Sequence, residues 1–492
     1  MSTSLGLTRR AVGRPGRLAL CLALLALLAS LLSAAMQRTS ARAATAGPYL
    51  IKHGWDIPRP QYVHDNVASM EQLGFDGVVI AIPSSMQIFS QTPLSYEQLA
   101  SELAPLASTK FTTMTHNFVI IYRGDPGPWD GNWSVPTSNI ANLSRAAKEV
   151  GLEGILYDNE DYSGTNSADW PTAAPNLTLP AAEELVRSIG KQVGAAIAGQ
   201  WPTATVLTMF GPWASDPATA TAITSMPYPN VDWANELLGP FFVGLVQAAQ
   251  GTQMTVADGG ELYSARTSAQ YEQFYNWNKF GMAQSGNQIP TPLKASYPSL
   301  VQVGFTVYDQ PAYEQPMDAN VWQTTLTNAL HRTDRYVVAY TELFDWWGSG
   351  WPGTPVPPEW VAATKAAKAA APSTVSSPGT TTTTSSTTTT TGSTTTAAPT
   401  STESTTTTTA GGILTNNQPI TTPVGGTPNN PVNPGPVTGA PQDPPDTPGV
   451  GGNSASFSQT PTCVALHQFY EANGAGDIFL AHHPECRRAA AS

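Results

Sequence analysis

The chain has 492 residues, 12% of them charged, with 35 acidic against 23 basic side chains and a formal net charge of −12. That balance excludes a protein built to bind nucleic acid or an anionic membrane surface. Three cysteines in all cannot staple a chain this long, so any large domain must be held by its own apolar core.

Residues 1–43 carry six arginines and no acid around the apolar run 18–35, and end in Ala41-Arg42-Ala43. This is the layout of a secretory signal peptide cut after Ala43, and it predicts a secreted or cell-surface protein. A retained signal anchor is the alternative, because the run is almost long enough to span a bilayer. Cleavage removes six of the 23 cations and Cys21, leaving 17 against 35 acids and a net charge near −18.

Between 47 and 372, apolar runs alternate with stretches of helical periodicity. The predicted strands are 49–55, 77–82, 111–118, 154–158, 205–210, 254–258, 301–308 and 336–341. The predicted helices are 62–73, 96–106, 140–150, 181–198, 235–249, 268–282, 319–331 and 358–371. Pro83, Pro180, Pro212 and Pro358 fall at element boundaries. Eight strands with helices between and after them describe an α/β fold, a (β/α)8 TIM barrel with enlarged loops. A doubly wound open sheet is the competing architecture, but no Gly-x-Gly-x-x-Gly turn follows the first strand.

From 373 to 460 the apolar periodicity gives way to Thr, Ser, Pro and Gly, a composition that cannot form a core and predicts an extended linker. Residues 461–492 form a small C-terminal module in which Cys463 and Cys486 are expected to pair in a disulfide. Its segments Cys463–Tyr470 and Gly476–Leu480 resemble short aromatic repeats of bacterial surface proteins. That resemblance implies a binding or cell-wall-contact role.

The most telling stretch is Gly154-Ile155-Leu156-Tyr157-Asp158-Asn159-Glu160-Asp161, an apolar strand running into three acids. Alternation puts Asp158 and Glu160 on one face, where mutual repulsion and lost hydration raise a carboxyl pKa as a general acid requires. Barrel enzymes carry their chemistry where strands end. The other strand ends supply Trp55 and Asp56, His116 and Asn117, Trp213, Glu261, Tyr308 and Asp309, and Glu342 and Trp346. Trp129, Trp133, Trp170 and Trp351 lie in the loops between.

Carboxylates ringed by aromatic faces suit a carbohydrate, whose ring stacks on indole and whose hydroxyls bind acids and amides. Glycoside hydrolysis needs one protonated and one ionised carboxyl. Glu160 is read as the acid, oriented by Asp158, with Glu342 or Glu261 as partner. Trp55, Asp56, His116, Asn117, Trp213, Tyr308, Asp309 and Trp346 are read as sugar-binding. No cofactor is expected, and a monomer is. A metal-dependent hydrolase would have to draw on His53, His64, His116 and His331, with no His-x-His after the first strand. A non-catalytic carbohydrate-binding barrel displayed on the linker is the second reading.

Asp158-x-Glu160 is similar to the end of the Asp-x-x-Asp-x-Asp-x-Glu motif of family-18 chitinases, whose earlier aspartates would fall on Glu153 and Leu156. The resemblance implies that Glu160 is the acid and Asp158 assists it. In other barrel glycosidases strand four carries the nucleophile and strand six the acid, which exchanges the roles of Glu160 and Glu261.

Overall fold

The computed structural model describes residues 47–373 except 125, 161–168, 226–236, 311–316 and 350–352. The stretches expected to be a signal peptide, a linker and a C-terminal module with Cys463 and Cys486, together with Asp161 and Trp351, lie outside the described residues.

Nine parallel strands form one sheet: β1 (Tyr49–Gly54), β2 (Gly77–Ile80), β3 (Phe118–Tyr122), β4 (Gly154–Asp158), β5 (Thr205–Thr208), β6 (Thr255–Asp258), β7 (Val301–Val303), β8 (Phe305–Tyr308) and β9 (Tyr336–Thr341). Neighbours follow chain order from β7 back to β1, then β9 and β8. The ring closes because β7 and β8 are one stave broken at Gly304. β6 pairs with β7, while its continuation meets β8 through a parallel bridge between Glu261 and Thr306. The result is a (β/α)8 TIM barrel. Its strands read as unbroken apolar runs because parallel strands are covered on both faces, and β2, β4 and β5 are buried at every position.

The longer helices are α1 (Pro60–Met70), α2 (Tyr96–Leu103), α3 (Ser134–Glu149), α4 (Leu179–Gln200), α5 (Leu238–Ala249), α6 (Ser268–Asn276), α7 (Ala319–Leu330) and α8 (Pro358–Ala369). Local chemistry starts several of them. Ser95 and Thr267 accept backbone N–H groups of the first turns of α2 and α6, Asp318 does so for α7, and Pro60 and Pro358 open α1 and α8. After α6 the chain makes one π-turn, Trp277–Gly281, which turns Asn278 toward the end of β6.

One strand differs from expectation. The segment 111–118 is not the third stave; β3 starts at Phe118, and Phe118-Val-Ile-Ile-Tyr122 fills the position. Met114 is buried, but the backbone N–H groups of 112–114 go to the Glu71 carboxylate instead of to a neighbouring strand.

Candidate active site

The loop after β4 carries Asp158 and Glu160. Tyr157 packs outward on Phe89 and on Phe241 of α5, so alternation turns Asp158 into the barrel mouth. Asn159 laces this loop to the end of β5: its Nδ2 donates to the Phe210 carbonyl at 2.9 Å and its Oδ1 accepts the Phe210 N–H at 3.0 Å. The Glu160 N–H donates to Asp158 Oδ1 at 3.2 Å.

Beyond β6, the glycines at 259 and 260 let the chain turn so that Glu261 reaches the same mouth. Gly260 has φ 54°, the left-handed region that glycine favours. Glu261 is only 7% exposed. The Tyr263 hydroxyl donates to its Oε1, and its Oε2 is buried without a hydrogen-bond partner. Burial holds its pKa well above the ordinary carboxylate range, and the charges of Glu160, Asp158 and Glu342 add to that. Acids from three strand ends therefore converge on Glu261.

Glu342 follows β9 and is half-buried. Its Oε2 accepts the Tyr308 hydroxyl at 2.6 Å and Gln310 Nε2 at 3.0 Å, and donors of this kind favour an ionised carboxylate. Tyr263, Tyr308 and Tyr340 form a wall: Tyr263 stacks on Tyr308 at 4.3 Å and on Tyr340 at 5.8 Å. Half-buried Trp55 joins it, donating from Nε1 to the Tyr340 hydroxyl at 2.8 Å.

Several expected sugar-binding residues stand elsewhere. His116 and Asn117 precede β3 and lie at the opposite end of the barrel. There His116 stacks on Tyr49 at 3.5 Å and bonds Glu153 at 3.4 Å, and Asn117 Oδ1 accepts the Val78 N–H at 2.9 Å. Asp56 is buried outside the ring of strands, paired with Lys52 at 2.5 Å and accepting the Trp346 N–H at 2.8 Å. Asp309, fully buried, accepts the N–H groups of Glu342 and Leu343 at 3.0 Å each. Both acids brace backbone and present no face to a ligand.

Trp213 and Trp346 are buried too. Trp213 packs on Phe274 at 5.1 Å and Trp346 on Phe75 at 5.2 Å, so both belong to the helical layer. Trp129 and Trp133 stack on each other at 5.0 Å and are also buried. Of the chitinase-like positions, Glu153 sits at the far end of the barrel, bonded to Arg335 and Tyr336.

Sequence reasoning passed over Tyr340, Tyr263 and Asn159. The available signal was period two: Tyr340 precedes Glu342 by two residues, and Tyr263 follows Glu261 by two. Among the described residues no three His, Cys, Asp or Glu side chains are placed to hold a metal ion. A separate groove of about 660 Å³ lies between α3 and α4, and none of the four acids lines it.

No family model matches this chain, and no curated protein matches it. Solved structures of similar fold include a family-18 chitinase from Pseudoalteromonas aurantia (11% identity, 65% of this chain and 99% of that one, TM-score 0.33). Others are a 3-keto-D-glucoside 4-epimerase from E. coli (13%, 65% and 98%, TM-score 0.32) and a β-glucosidase from Thermotoga maritima (10%, 64% and 87%, TM-score 0.33). At that identity and TM-score the chemistry of none of them transfers to this chain.

Proposed function

We propose that this protein is a glycoside hydrolase with Glu261 as proton donor and Glu342 as the ionised carboxylate. The observation that carries the reading is Glu261: buried, held by Tyr263 through one oxygen, with the other oxygen unpartnered and three carboxylates around it. A carboxyl in that field holds its proton to higher pH than an ordinary glutamate does, and has one O–H to give. It passes the proton to the glycosidic oxygen as the C–O bond breaks, and Glu342 attacks the anomeric carbon or activates water. Asp158 and Glu160 supply negative charge that both keeps Glu261 protonated and favours the positive charge developing on the sugar. Glu160, expected from sequence to be the acid, is reassigned to this supporting part.

The test is turnover of a polysaccharide and oligosaccharide panel. Glu261→Gln and Glu342→Gln are each expected to lower kcat by about 10³-fold or more while leaving binding measurable. Binding without turnover by the wild-type chain would favour the non-catalytic carbohydrate-binding barrel. In this reading residues 1–43 direct export, the protein acts as a monomer without a cofactor, and the 461–492 module, closed by a Cys463–Cys486 disulfide, contacts the cell wall.

A further inference from the structure

One inward-facing group at the barrel mouth lies outside the acid cluster. His53, near the end of β1, is in register with Tyr340 of β9, and their rings are 5.1 Å apart. The residue is 5% exposed, and its Nδ1 is buried with no hydrogen-bond partner. Burial, helped by the neighbouring Lys52 charge, lowers its pKa to about 3, so the ring is neutral and carries one proton on one of two nitrogens. An orphaned buried N–H is rarer in proteins than an under-used acceptor, which leaves the proton on Nε2. The hydroxyls of the adjoining wall have bonds within the protein: Tyr263 to Glu261, Tyr308 to Glu342, and Tyr340 to Trp55.

We propose that His53 is a substrate-binding residue whose Nε2–H donates to a hydroxyl of the sugar ring placed against Glu261. The proposal rests on the glycosidase reading and adds to it a specific donor on the floor of the site. A residue that only filled space beside Tyr340 would lose as much on replacement by glutamine as by asparagine.

Two measurements on the full chain test it. Two-bond ¹H–¹⁵N spectra of the imidazoles, with His53 assigned by its loss in His53→Gln, should show an Nε2–H ring that does not titrate down to pH 5. An Nδ1–H ring, or titration above pH 5, overturns the proposal. In kinetics on whichever cello-, chito-, xylo- or laminari-oligosaccharide the wild type cleaves, the glutamine amide of His53→Gln replaces Nε2. That variant should keep kcat/KM within about tenfold of wild type. His53→Asn, whose amide stands where Nδ1 was, and His53→Phe should each lose about 100-fold. Equal losses in all three overturn it. A wild-type chain that cleaves none of the four classes removes the glycosidase reading and with it the sugar hydroxyl, whereas an Nδ1–H ring removes the His53 assignment alone.

Discussion

Asp158 and Asp309 each stand at the end of an apolar strand, yet they leave it on opposite sides. Asp158 turns inward, where its charge is one of three that raise the pKa of Glu261. Removing it makes ionisation of Glu261 easier, so Asp158→Asn should move the alkaline limb of the kcat/KM profile to lower pH, by about half a unit to one unit. An unmoved limb in that pH–rate profile would take the proton-donor role from Glu261. Asp309 turns outward with Asp258, and burial raises both to about pH 7 against the pull of backbone N–H donors. In the unfolded chain both ionise near 3.9. Between about pH 4 and 7 the folded chain therefore holds protons that the unfolded one releases. The stability these two groups add is complete below about pH 4 and is lost as pH rises through 7. Urea unfolding at pH 5 and pH 8 should show the decline, and Asp309→Asn should show less of it. That variant also starts lower, because its amide nitrogen meets a backbone N–H where a carboxyl oxygen accepted one.

The segment after β9 is held by acids that take no part in the proposed chemistry. Asp309 accepts the N–H groups of 342 and 343, Asp56 that of 346, and Asp345 those of Trp347, Gly348 and Ser349. Glu342 rides on this brace. Lys52 anchors it, through the 2.5 Å pair with Asp56 and a bond to the His53 carbonyl at 3.0 Å. Lys52→Met should cost about 3–5 kcal/mol in urea unfolding, because Asp56 is left charged and buried; Lys52→Met with Asp56→Asn should recover part of it. At this scale the sequence was readable where burial leaves a pattern. Parallel strands covered on both faces appear as apolar runs, and Ser95, Thr267 and Asp318 mark the starts of three helices. The third strand begins later than expected because Phe111, Thr112, Thr113, Thr115 and Phe118 are residue types that favour strands, whereas the N–H groups of 112–114 are taken by the Glu71 carboxylate. The sorting of the acids follows from the two-residue period. Tyr308 faces in and Asp309 must then face out, as Asp56 does after His53. Tyr263 and Tyr340 share that period with Glu261 and Glu342, but the period gives only the face: a tyrosine two places from a carboxylate looks the same in sequence whether it packs or binds.

All three cysteines, at 21, 463 and 486, lie outside 47–373, so the barrel contains none. Its stability must come from one apolar core that runs through the strands and the inner faces of α1 to α8, from Leu50 to Ala367. The stretch 373–460, poor in apolar side chains, is expected to add nothing to that core. A chain of residues 47–373 is therefore expected to melt in one cooperative transition at the temperature of the full chain's main transition, and to keep its turnover on small oligosaccharides. Dithiothreitol should leave that transition where it is. Scanning calorimetry of both chains with and without reductant separates the outcomes. A main transition that falls on reduction or truncation would mean that the C-terminal region packs on the barrel and stabilises it.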